Sequence, residues 1–251
     1  MIAEALLYLA TVPVTTRAHR RFIRYSVDLW SRAGRCRKAW AEHESKSKAA
    51  IVYGMADLKQ RRTAVVLGSG LLGDVPIEML ARNFDTVVLV DLVHLAWVRL
   101  WLRTKGLSNV RLVERDLSGY AELSAGETPE PLRFLRNVPY LDFVVSANLL
   151  SQIGRGASRR LEVEPPGKMP DDAIARLIDA HLDGLAALPC KSCLVTDIAY
   201  KVIDRNGKIH EETDLLHGKT PAAVRDRWAW PVAPLGEESR DYQIVHEVIT
   251  V

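Results

Sequence analysis

The stretch Thr63 to Gly73, TAVVLGSGLLG, constrains the fold more than any other part of the chain. A short apolar run ends in Gly68-Ser69-Gly70-Leu71-Leu72-Gly73, and Asp74 then opens a helical pattern. Strand, glycine turn and helix N-terminus, in that order, form the arrangement that holds a nucleotide-like cofactor. The first two glycines let the backbone turn sharply and approach a ligand, and Gly73 lets the helix pack close to the strand. A glycine turn that binds nothing has the same local sequence, so the strands that follow decide the reading.

A second strand, Thr86 to Val90, ends at Asp91, where a carboxylate can accept both ribose hydroxyls of an adenosine. A third, Val110 to Glu114, is followed by Arg115-Asp116-Leu117. A carboxylate there can take the adenine amino group while the next backbone N–H meets a ring nitrogen. Nicotinamide-binding domains share the first acid, but the third-strand acid is not part of their fingerprint. The runs GSGLLG, VVLVDLVHLAWVR and NVRLVERDL together resemble the class I S-adenosylmethionine-dependent methyltransferases, well from Thr63 to about Gln152 and loosely outside. Many members carry an acid just before the first glycine; here that position is Leu67. The resemblance implies an S-adenosylmethionine site built from Gly68, Ser69, Gly70, Leu71 and Gly73, from Asp91 and Leu92, from Asp116 and Leu117, and from Ala147 at the end of strand 4.

Alternation of strands and helices implies a mostly parallel, doubly wound α/β sheet. Strands are expected at 63–68, 86–91, 110–114, 141–147 and from Ser192 to Ala199 or on to Ile203, with helices at 75–83, 94–105 and from Asp171 or Asp172 to about Ala187. A short helix is expected near Leu132 to Arg136, and Gln152 to Pro170 reads as a long loop with Gly154, Gly156, Gly167 and Pro165-Pro166. Asn206-Gly207 is a hairpin-type turn. Tyr242 to Val251 reads as a last strand partnered by Trp228 to Leu235. This antiparallel C-terminal pair is what the methyltransferase resemblance implies, as part of a seven-stranded-type sheet. Residues 1–60 read as an N-terminal helical cap on a 61–251 Rossmann-like domain, with a helix after Thr15 or Thr16 whose apolar stripe is Phe22, Ser26, Leu29, Ala33, Cys36 and Trp40.

At 48% hydrophobic and 26% charged residues the chain has the composition of a globular protein with a sizeable core. A formal charge of +3 does not by itself point to nucleic acid. From Arg17 to Lys48, however, ten Lys/Arg stand against three acids, a patch that can meet an anionic partner or form a solvated helix face. No segment reaches the ~18 uninterrupted apolar residues of a membrane span. The N-terminal stretch, with Glu4 and no basic n-region, does not read as a signal peptide. Three cysteines, Cys36, Cys190 and Cys193, fit reduced thiols in a cytoplasmic protein, and one CxxC pair cannot complete a tetrahedral zinc site.

Methyl transfer from a sulfonium needs alignment and exclusion of water, and a base only when the acceptor carries a proton of high pKa. Acceptor-side residues are expected after strands 4 and 5: Asn148, Ser151, Gln152, Asp197 and Tyr200. Asn148 sits in SANLLSQI, not in the Asn/Asp-Pro-Pro-aromatic motif of many nucleic-acid amino-methyltransferases, which argues against base N-methylation. His181, His210, His217 and His246 are candidate bases, with His217 in DLLHGK preferred. The catalytic candidates are therefore Asn148, Tyr200 and His217. Trp228 and Trp230 can line an apolar pocket or anchor the tail. The expected function is methyl transfer to a small-molecule acceptor. RNA methylation and a non-catalytic binding or regulatory role on the same fold remain alternatives. The 15–40 helix and the loop 152–170 are expected to form a lid, the alternative being a helix that mediates homodimerisation.

Overall fold

The computed structural model describes residues 1–163 and 169–251. Three helices, α1 (Ile2–Thr11), α2 (Ile23–Arg35) and α3 (Arg37–Gly54), precede the first strand. The α/β part runs β1 (Thr63–Leu67), α4 (Ile77–Asn83), β2 (Thr86–Asp91), α5 (Ala96–Thr104), β3 (Val110–Glu114), α6 (Tyr120–Ser124), β4 (Leu141–Ala147), α7 (Leu150–Leu161), α8 (Ala173–Ala186) and β5 (Lys191–Asp204). It closes with β6 (Ile209–Asp214), β7 (Asp226–Ala233) and β8 (Tyr242–Thr250). The sheet order is β3-β2-β1-β4-β5-β8-β7, and β6 pairs with β5. β3 through β5 are parallel, while β8 lies antiparallel between β5 and β7. This is the expected doubly wound sheet with its antiparallel C-terminal pair. The winding reverses between β1 and β4, so both strands present their carboxyl ends to one crevice.

The central strands are apolar throughout because both faces are covered. Ala64 and Val66 of β1 point into one core with Val87, Leu89, Phe143 and Val145, whereas Val65 and Leu67 join Val90, Val144 and Leu194 in the other. That split is the two-residue period of a strand. The first core is roofed by the N-terminal segment: Ile23, Val27, Ile51 and Met55 share it with β1 and β4. The glutamate that ends β3 ties the same segment down, with Glu114 accepting from Thr16 N–H at 2.8 Å and from Arg99 Nη2 at 2.8 Å.

Two expectations need correction. The stretch Gln152 to Pro170 is not one long loop: Leu150–Leu161 is helical, with Ile153, Gly154 and Ala157 buried against α8 and its neighbours. Ser158 Oγ donates to the Gly154 carbonyl; Gly154 packs closely, where a Cβ would stand 3.4 Å from Ile174 and from Leu215 O, while Gly156 is exposed. Pro165, Pro166 and Gly167 lie outside the described residues. The apolar stripe expected for the second helix holds in part: Cys36 and Trp40 are buried, and Phe22, Ser26 and Ala33 half-buried. Ile23 and Val27 are buried while Leu29 is 37% exposed. Residues 17–22 form a 3₁₀ segment and the chain breaks again at Cys36, so the phase read across 15–40 as one helix does not hold. The Asn206-Gly207 turn does close a hairpin, and its second arm, β6, is an eighth strand beyond the seven expected.

Candidate active site

The glycine turn starts where β1 stops. Gly68 has φ +72°, and its N–H donates to Val90 O of β2 at 2.9 Å. A Cβ on Gly68 would stand 2.9 Å from both Ala147 O and Leu149 Cβ, so this glycine is required for β1 and β4 to end side by side. Gly70, at φ +49°, is different: a Cβ there would meet only Gly68 O at 3.9 Å, so the protein leaves open space beside it. Its N–H donates to Asp91 Oδ2 at 2.7 Å, and Leu92 N–H donates to Oδ1 at 2.7 Å. Burial pushes the Asp91 carboxyl up, against the opposing pull of His94 and the backbone N–H groups. Ser69 Oγ is buried without a partner among the described residues. Leu71 faces a cavity of about 540 Å³ shared with Glu4 of α1 and Trp30, Ser31 and Gly34 of α2. At Gly73 a Cβ would lie 2.9 Å from Glu44 Oε1 of α3.

Asp116 lies just beyond β3. It accepts from Ser118 N–H at 2.9 Å, Ser118 Oγ at 2.6 Å and Arg160 Nη2 at 3.0 Å. Burial would raise its carboxyl, but those bonds, with the Arg160 charge, hold it below the ordinary range. Arg160 comes from α7 and also lies over the rings of Tyr120 (4.8 Å) and Phe22 (5.7 Å). Leu117 and Ala147 are buried and Leu92 is half-buried. The turn, Asp91, Asp116 and Ala147 thus all stand at the carboxyl edge of β1–β4.

Past β4 the same edge becomes polar and aromatic. Asn148 is buried at φ +47°, its N–H bonded to Val195 O at 2.8 Å. Its carboxamide lies 2.5 Å from Asp74 Oδ2 and 3.1 Å from His43 Nε2. Trp228 Nε1 donates to His43 Nδ1 at 3.1 Å. Burial lowers the His43 pKa and keeps it neutral, and its ring stacks on Trp230 at 3.9 Å. Beside this group, Asp197 of β5 accepts from Ser151 Oγ through Oδ1, and its Oδ2 lies 2.5 Å from His246 Nδ1. All three side chains are buried.

The sheet register builds this arrangement. Tyr200, His246 and Trp230 are direct cross-strand partners on β5, β8 and β7, so they stand in one row. A bulge between Asp197 and Ala199 adds a residue to β5. It puts Asp197 and Tyr200, three apart, on the same face, where a regular strand would oppose them. Tyr200 stacks on His246 at 5.7 Å and gives its hydroxyl to Glu211 of β6.

Of the three catalytic candidates, Asn148 and Tyr200 therefore stand with this group. His217 is exposed in the turn after β6, at φ +51°. His181 is fully buried against Ser146 Oγ at 2.9 Å, and His210 pairs with Asp204 on the surface. Sequence reasoning did not find His43 or Asp74, and it preferred His217 to His246. His43 lies in a polar helical stretch that carries no signal. His246 could have been found by pairing the last strand with strand 5 in antiparallel register.

No protein-family model and no curated protein sequence matches the chain. Among solved structures, it resembles the N-methyltransferase NodS from Bradyrhizobium japonicum WM9 in complex with S-adenosyl-L-homocysteine, at 14% identity over 82% of this chain and 85% of that one, TM-score 0.39. A DhpI–SAM–HEP complex aligns at 14% identity over 86% and 92%, TM-score 0.41. An rRNA methylase from Streptococcus thermophilus aligns at 11% identity over 78% and 90%, TM-score 0.36. At such values these likenesses carry no weight for function.

Proposed function

We propose that this protein is a class I methyltransferase that binds S-adenosylmethionine and methylates a small-molecule acceptor. The observation that carries the reading is the meeting of the Gly68–Gly73 turn with Asp91 at the switch point of a β3-β2-β1-β4-β5-β8-β7 sheet. The residues fit the cofactor. Gly70 leaves room for close approach, and Ser69 Oγ is buried and in want of a partner. The Asp91 carboxylate, held by backbone N–H groups of Gly70 and Leu92 and drawn further by Val93, is the acceptor placed to take the ribose hydroxyls. Asp116 would face the adenine, sharing Oδ2 with Arg160.

When bound, the cofactor supplies a sulfonium-activated methyl group with a neutral leaving group. The chain's own residues hold the ribose at Asp91, bring the turn amides close, and exclude water beneath α1–α3. The polar and aromatic group at Asn148, His43 and His246 lies on the acceptor side.

RNA methylation is the second reading, favoured by one observation. Arg21, Arg24 and Arg159 are exposed beside Phe22 and Tyr25, with Arg159 over the Tyr25 ring at 5.3 Å. Calorimetric titration separates the possibilities. Saturable binding of S-adenosylmethionine and S-adenosylhomocysteine, with none of NAD, is expected. Binding of neither would leave a scaffold without this cofactor, and tight, salt-dependent RNA binding would move the acceptor to RNA.

A further inference from the structure

Three features pointed beyond the cofactor site. The cavity of about 690 Å³ between the 126–136 segment and α8 is lined by acids and arginines in near balance, and nothing in it selects a ligand. The arginine-rich face near Tyr25 is already the second reading above. The buried group at the C-terminal strands goes further, because its hydrogen bonds have a direction.

Asp197 is held from two sides, by Ser151 Oγ–H on one oxygen and by the His246 ring on the other. Burial alone would raise its carboxyl, yet these partners hold it below the ordinary range, so it is a carboxylate. A carboxylate can only accept, which fixes the His246 proton on Nδ1. With a single proton on the ring, Nε2 is then a lone pair. Among the described residues it has no hydrogen-bond partner, and it is not one of the atoms closed off from solvent. The neighbouring Trp230 Nε1 and Asn148 Oδ1 are buried and also without partners. Of these atoms Nε2 is the one within reach from outside: the His246 ring stands between those of Tyr200 (5.7 Å) and Trp230 (5.8 Å) and keeps an acceptor that the protein itself does not use.

We propose that His246 Nε2 is the proton acceptor for a hydroxyl-bearing methyl acceptor, with Asp197 and Ser151 as its positioning residues. The inference rests on the methyltransferase reading. A hydroxyl needs such a base where a neutral amine does not, since its oxygen is a weak nucleophile until the proton leaves. The acceptor oxygen forms a bond to the methyl carbon as the carbon–sulfur bond breaks, its electron pair going to sulfur. The hydroxyl proton passes to His246 Nε2, and the imidazolium is stabilised by Asp197. The balance is one ether, one neutral thioether and one proton on histidine, released later to water.

The test is acylation of the whole protein with diethyl pyrocarbonate, read histidine by histidine by peptide mass. The exposed His217 is the positive control and the fully buried His181 the negative one. His246 is expected to react at least tenfold faster than His181. Asp197→Asn is expected to slow it about tenfold or more, by letting the proton move to Nε2. Ser151→Ala, the milder change, is expected to slow it severalfold if Asp197→Asn does not fold. A His246 as inert as His181, or one whose reactivity is unchanged or raised in the folded variants, overturns the role. Calorimetry with S-adenosylhomocysteine on the same preparation separates the two claims. Binding with an inert His246 removes the base alone, while a reactive His246 without binding removes methyl transfer and the role with it.

Discussion

His246 Nδ1 lies 2.5 Å from Asp197 Oδ2, on neighbouring antiparallel strands whose register a bulge has shifted to bring them together. Both groups are buried, so each depends on the other for compensation. Asp197→Ala would strand a histidine and a serine hydroxyl, and it is expected to cost about 3–5 kcal/mol of stability. Ser151→Ala, which removes one hydrogen bond to the same carboxylate, is expected to cost about 1 kcal/mol. Urea unfolding at neutral pH measures both; equal costs would mean that the pair is not the anchor of this corner.

Asp91→Ala removes the proposed ribose acceptor and the cap on two backbone N–H groups. Affinity for S-adenosylhomocysteine is expected to fall by about 1–3 kcal/mol. Unchanged affinity in a folded variant would place the cofactor elsewhere.

The two turn glycines are expected to respond differently. Gly68→Val places a branched side chain at φ +72° against Ala147 O and Leu149, so a large loss of melting temperature is expected. Gly70→Val has the left-handed strain, about 1–2 kcal/mol, but no neighbour to strike. It is expected to stay folded and to lose S-adenosylhomocysteine binding. Comparing the melting curves and titrations of the two variants checks this, and normal binding by Gly70→Val would make the turn purely structural.

Much of this was legible in the sequence. β2 and β4 fall where the apolar runs stop, because in a sheet covered on both faces a strand ends where hydrophobicity ends, and the edge strand β3 ends at its acid, Glu114. The turn and its acids could be read because cofactor sites place few residue types at fixed distances along one strand edge. The acceptor side could not. His43, Asp74, Asn148, Asp197 and His246 come together only through strand order, a bulge, and a helix laid over the sheet edge. Helix α7 was hidden because two glycines and two serines in Leu150–Leu161 give weak propensity, while its buried face is short.

His181 gives a pH dependence of known sign. It is fully buried against Ser146, and burial lowers its pKa from 6.5 to about 4. The unfolded chain therefore takes up the proton first, so the stability from this group is complete above pH 6.5 and is lost as pH falls toward 4. The loss amounts to about 3 kcal/mol across that window. His181→Gln is expected to flatten the stability profile between those limits by a comparable amount in urea unfolding at several pH values. A variant profile parallel to the wild type would show that His181 titrates normally.

The segments around the crevice are expected to tighten on ligand binding. The 3₁₀ segment before α2 and helix α7 both reach the Asp116 end, through Phe22 and Arg160. With S-adenosylhomocysteine, hydrogen exchange is expected to slow at 17–35 and 150–161 as well as at 68–73. Protection of 68–73 alone would show that neither helix closes over the cofactor.

The central claim is that the turn and Asp91 hold an adenosine. A crystal structure with S-adenosylhomocysteine tests it most directly. The account predicts the ribose hydroxyls at hydrogen-bond distance, about 2.7 Å, from the two Asp91 oxygens, with the sulfur on the Asn148 side of the turn. A ligand bound away from Gly68–Gly73, or a ribose that leaves Asp91 untouched, would contradict it.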